Sequence, residues 1–100
     1  MTKIGCINTA SHIIGQKWTA LIIREIAKGP QRYCEIERGV PGINPRILTQ
    51  RLDSLQSQGI ITECDNRYEL TRKGHDLLPI LKDMASWSAK YPREPHWNVA

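Results

Sequence analysis

The residues most able to do chemistry lie between Asn44 and Ser57. Leu48, Leu52 and Leu55 follow i, i+4, i+7, with Ile47 beside them, which makes one apolar stripe of a helix. Arg46, Thr49, Gln50, Asp53 and Ser57 fall on the opposite side. Arginine reads guanine edges, glutamine reads adenine edges, and threonine serves bases or phosphates. Asn44 and the start of this helix present amides to a phosphate. Asp53 repels phosphate, so base contact is expected within the first two turns. A polar face is also what any solvated helix shows, so the neighbouring elements decide between the two readings.

Other chemistries find no support in spacing. Cys6, Cys34, Cys64, His12, His75 and His96 are the soft metal ligands, but no pair has Cys-x-x-Cys or His-x3–5-His spacing. No glycine-rich phosphate loop or nucleophile motif occurs. The sequence therefore predicts no enzyme, no metal and no cofactor. Cys34 and Cys64 read as small packing residues, and Trp18 and Trp87, at helical spacing with aliphatics, as core or interface.

The elements that must position the polar arc follow from periodicity and punctuation. Apolar residues at helical spacing predict helices near 7–13 and 16–28, separated at Gly15. Gly29-Pro30 ends the second helix. Tyr33, Ile36 and Val40 make a short third helix, and Val40-Pro41-Gly42 is a turn. Asn44 as N-cap and Pro45 at the first helical position start the fourth helix, which Gly59 stops. The period then changes. Ile60 to Cys64 and Arg67 to Leu70 are short β runs around Asp65-Asn66, a tight hairpin. Thr71 caps a long last helix in which Pro79 marks a kink or joint. Helices, a Pro-Gly turn, a helix and a hairpin in this order make a winged helix-turn-helix, mainly α with a small β-hairpin (α+β). Its second motif helix enters the major groove, and the hairpin reaches the adjacent backbone.

Charge agrees with a polyanion partner. The net charge is +4, and residues 1–52 carry eight basic and three acidic side chains. A basic half suggests nucleic acid, here double-stranded DNA. Arg32 before the third helix and Arg67 in the hairpin join Asn44, Arg46, Thr49 and Gln50 as the expected DNA-binding residues. Arg51 projects near the leucine stripe instead, and a half-buried guanidinium needs an anionic partner such as Glu35 or Glu69.

At 100 residues the chain is one domain, expected over 1–90, with a flexible tail over 91–100. No apolar run is long enough for a membrane span, and the start lacks a signal peptide, so no membrane is expected. Three scattered cysteines suit a reducing compartment, which points to the cytoplasm.

Several segments together resemble one family. Gly15-Gln16-Lys17-Trp18-Thr19-Ala20 looks like the Gly-Lys-Trp helix of the HxlR-type bacterial winged-helix transcription regulators. Arg32-Tyr33-Cys34-Glu35-Ile36 is similar to its Arg-Phe-x-x-Leu segment, and Pro41 to Leu52 to its recognition-helix motif. Tyr68-Glu69-Leu70-Thr71-Arg72-Lys73-Gly74 resembles its wing exit. The similarity covers about residues 6–90. It implies a homodimer on a pseudo-palindromic operator, dimerising through the first and last helices. The apolar residues there are Ile7, Ile13, Ile14, Leu77, Ile80, Leu81, Met84 and Trp87. It also implies that Cys6, at the expected start of the first helix, senses a small electrophile or oxidant in the way of some relatives. The competing expectation is a winged-helix module for protein assembly with no DNA target.

Overall fold

The computed structural model describes residues 3–91, and side chains from residue 7 onward. Six helices and one hairpin follow in the order α1 (Lys3–Ile14), α2 (Thr19–Ile26), α3 (Tyr33–Gly39), α4 (Pro45–Ser57), β1 (Ile61–Cys64), β2 (Arg67–Leu70), α5 (Arg72–His75) and α6 (Leu78–Lys90). The expected tail lies almost wholly outside the described residues.

Local chemistry accounts for most of the boundaries. The Asn44 side chain accepts the Arg46 amide at 2.7 Å, and Pro45 occupies the first helical position. Gly59 ends α4 with φ of 75°, a left-handed value that costs glycine least. The Thr71 hydroxyl accepts the Gly74 amide at 3.1 Å and starts α5. Pro79 marks the joint expected of it, because α5 stops at His75 and α6 starts at Leu78. Two limits differ from expectation. The first helix begins at Lys3 rather than near residue 7, and α2 begins at Thr19 rather than residue 16, with no side-chain cap.

Asp65 and Asn66 have φ of 54° and 64°, the left-handed pair required by a two-residue hairpin turn. The strands pair antiparallel, with Ile61 opposite Leu70 and Cys64 opposite Arg67. Gln31 adds a third short rung. Its amide donates to the Tyr68 carbonyl at 3.0 Å, and the Tyr68 amide donates back at 2.7 Å. This rung fastens the wing to the link between α2 and α3, and the Gln31 side chain also donates to the Glu25 carbonyl.

The core is one cluster. Ile22, Ile23 and Ile26 of α2 meet Ile36, Val40, Leu48, Leu52 and Leu55, and Ile60, Ile61, Leu70 and Leu77 close the wing side. Each such side chain contributes about 1.5–3 kcal/mol on burial. Ile13 and Leu77, expected at a dimer interface, belong to this core at 7% and 8% exposure. The reason is position, since Ile13 lies at the end of α1 and Leu77 in the link between α5 and α6, where each packs on its own chain.

Helix α6 is different, because none of its residues is buried. Ile80 and Met84 are each 44% exposed, Trp87 is 65% exposed, and Ile7 on α1 is 62% exposed. Ile14 and Leu81 are half-buried.

Candidate nucleic-acid interface

Helix α4 is divided as its sequence requires. Leu48, Leu52 and Leu55 are at most 2% exposed, while Asn44, Arg46, Thr49, Gln50, Asp53 and Ser57 are all exposed. The arc is rigid because the opposite stripe is locked into the core.

The start of α4 is held by a contact that periodicity does not show. The Tyr33 hydroxyl donates to the Pro45 carbonyl at 3.0 Å and lies 3.4 Å from the Thr49 hydroxyl. Thr49 thus sits beside a phenol from α3, twelve or more residues away in the chain. Tyr33 reads from the sequence only as an apolar position of α3. The signal for its second role is weak: the tyrosine hydroxyl on the element that precedes the turn.

The helix N-terminus offers fewer amides than expected. Pro45 has none, and Asn44 already accepts from Arg46. Arg32 stands just before α3 with its amide donating to Glu35 Oε1 at 2.8 Å, and its side chain is exposed. Arg67 is exposed near the wing tip. Arg32, Asn44, Arg46, Thr49, Gln50 and Arg67 are therefore all exposed on the helix-turn-helix and wing.

Between wing and helix lies an acidic contrast. Gln56 Nε2 on α4 approaches Glu63 Oε1 on β1 at 3.4 Å. Burial first, and then the charges of Glu63 and Asp53 and the neighbouring Tyr33, push the Tyr68 phenol above its ordinary 10.0. Tyr68 stays a neutral hydroxyl well past physiological pH. Asp53 and Glu63 place negative charge near Tyr68 on this side.

Three expectations are corrected. Arg51 has no anionic partner among the described residues: Glu35 is engaged at the start of α3 and Glu69 is exposed on β2. Cys34 and Cys64 are exposed rather than packed, since Cys34 lies on the outer side of α3 and Cys64 next to the hairpin turn. Cys6 is the fourth residue of α1 rather than its first, and its side chain lies outside the described residues.

A family model for the HxlR-like helix-turn-helix matches residues 13–96. The chain belongs to the HxlR-like helix-turn-helix family. The family is one of transcriptional regulators, not enzymes. The chain is 34% identical over 89 residues to the uncharacterized HTH-type transcriptional regulator YvaP of Bacillus subtilis, covering 82% of each. It superposes on the quinone-bound YodB of B. subtilis with a TM-score of 0.79 and 30% identity, over 85% of this chain and 96% of that one. Against the redox regulator HypR in its reduced form the TM-score is 0.73 with 28% identity, over 84% and 90% of the two chains. These HxlR-type neighbours share the winged helix-turn-helix architecture that the element order predicts. Among the described residues, no helix is long and apolar enough to cross a membrane.

Proposed function

We propose that this HxlR-type regulator binds double-stranded DNA as a homodimer on a pseudo-palindromic operator in the cytoplasm, with residues 1–90 acting as one DNA-binding domain. The observation that carries this reading is the division of α4. A fully buried leucine stripe fixes a helix whose Arg46, Thr49 and Gln50 are exposed on the other side. Arg46 and Gln50 take base edges in the major groove, and Thr49 takes a base or phosphate. Arg32 and the wing residue Arg67 take the flanking backbone, and Asn44 fixes the helix start.

The second subunit is the partner that the exposed side of α6 calls for. Ile80, Met84 and Trp87, with Ile7, Ile14 and Leu81, make an apolar surface that a two-fold copy covers with the same residues. The two recognition helices then sit roughly 34 Å apart, one DNA turn.

Cys6 is the thiol that takes an electrophile or oxidant in this reading. Support comes from the solved neighbours, one of them quinone-bound and another described as a redox regulator. Cys34 and Cys64 are the built-in comparison, being exposed thiols elsewhere. Alkylation is expected to be fastest at Cys6, and quinone or diamide to change operator affinity in the wild type and not in Cys6→Ser. Equal rates at all three thiols refute the assignment.

The test of DNA binding is a shift assay on the promoter of a neighbouring divergent gene across a salt series. Affinity is expected to fall with a log–log slope of about −0.9 per phosphate neutralised. Absent or salt-independent binding would assign the fold to protein assembly instead.

A further inference from the structure

The half-buried Tyr33 carries one hydroxyl proton and faces two oxygens across the turn between α3 and α4. The Pro45 carbonyl lies 3.0 Å from its hydroxyl and the Thr49 hydroxyl 3.4 Å. A carbonyl oxygen only accepts, so the phenol proton goes to Pro45. Toward Thr49 the phenol has lone pairs alone, and Thr49 is therefore the donor of that contact. A helical threonine otherwise donates to the carbonyl four residues back, which here is also Pro45. That carbonyl already accepts from Tyr33 and, by the helix pattern, from the Thr49 amide, so both of its lone pairs are taken. The single proton of Thr49 is thus spent on the phenol, and the exposed side of its oxygen is acceptor only.

That direction decides what Thr49 can meet in a major groove. Phosphate oxygens, guanine N7 and O6, and thymine O4 are acceptors, whereas adenine N6 and cytosine N4 are donors. An oxygen with no proton to give pairs only with the amino groups. The arc itself is divided in the same sense. With 3.6 residues per turn, Arg46 and Gln50 fall on one flank, and Thr49 and the exposed Asp53 on the other. A carboxylate at Asp53 also accepts, from cytosine N4 above all. One flank holds the donors and the other flank the acceptors.

We propose that Tyr33 orients the Thr49 hydroxyl as an acceptor, so that Thr49 reads a base amino group, adenine N6 or cytosine N4, and makes no phosphate contact. This rests on the DNA binding proposed above and narrows the part that Thr49 plays in it. Tyr33 is a positioning residue, since it touches Thr49 and the start of α4 rather than DNA. A base pair turned round puts thymine O4 or guanine O6 where the amino group stood, and two acceptors then face each other. One hydrogen bond lost in this way corresponds to about a 2- to 12-fold fall in affinity.

The experiment is a selection of bound duplexes from a randomised DNA pool with the purified full chain, as wild type, Tyr33→Phe and Thr49→Val, with melting curves for each. Thr49→Val marks the base position that the hydroxyl reads, and as an exposed substitution it keeps the test alive if Tyr33→Phe fails to fold. At that position wild type should accept adenine and cytosine on one strand and disfavour guanine and thymine there by about 2- to 12-fold. Tyr33→Phe frees the Thr49 proton for any base edge, so this preference should relax while the preferences at other positions stay. An undiminished preference in Tyr33→Phe overturns the proposal, and so does equal weakening at every position, which marks a merely structural role. Thr49→Val lowering affinity with no base preference changed also overturns it, because that is the signature of a phosphate contact. In all three cases the DNA reading itself stands. If wild type enriches no sequence, the DNA reading fails and takes this inference with it.

Discussion

Substitutions on the two sides of α4 should separate folding from DNA reading. Leu52 is 1% exposed and Gln50, two positions earlier, is exposed with no hydrogen-bond partner among the described residues. Truncating a buried leucine to alanine costs about 2–5 kcal/mol through lost transfer energy and a residual cavity. A domain of this size loses about 4–8 °C of melting temperature per kcal/mol, so Leu52→Ala should fall by on the order of 8–40 °C. With total stability of about 5–15 kcal/mol, that variant sits near the limit of folding. Gln50→Ala and Arg46→Ala remove exposed groups and should change stability by about 0.5 kcal/mol or less. Each loses a base contact of about 1–3 kcal/mol, which is about a 5- to 150-fold fall in operator affinity. Circular dichroism melts and fluorescence anisotropy at one salt concentration read the two quantities. Full affinity in both Arg46→Ala and Gln50→Ala, at preserved melting temperature, would remove α4 from the reading role.

Three further outcomes follow from particular contacts. A Cβ at Gly74 would lie 2.2 Å from the Ile60 carbonyl oxygen, so Gly74→Ala should push α5 off the wing and cost about 1–3 kcal/mol by urea melt. Light scattering should give about twice the 11.4 kDa chain mass, and Met84→Glu, which places a charge on the exposed apolar side of α6, should return it to the monomer value. The Tyr68 phenol titrates higher in the folded chain than in the unfolded one. The folded chain therefore holds its proton longer, so stability is full below about pH 10 and declines as pH rises through the folded value. Urea midpoints should show Tyr68→Phe flattening that decline.

The elements were legible in the sequence where the decisive chemistry is local. Asn44-Pro45, Gly59, Asp65-Asn66, Thr71 and Pro79 each act on backbone within about one turn, through a missing amide, a side-chain cap or a left-handed φ. The leucine stripe of α4 is equally local, because the 3.6-residue period alone places those three side chains on one face. Order and type of elements then led to the winged helix-turn-helix. What needed the tertiary structure is whatever depends on two distant segments meeting. Ile13 and Leu77 have the same apolar character as Ile80 and Met84, and only the packing of α1, α2 and the wing decides which pair is core. Periodicity puts Arg51 beside the leucine stripe, but neither of the two carboxylates expected to meet it does so. Tyr33 reaches Pro45 and Thr49 across the turn, and Gln31 pairs with Tyr68 across the wing. Side-chain type and spacing set which groups need a partner, whereas the partner is chosen by crossing angles and loop paths that the whole core determines at once.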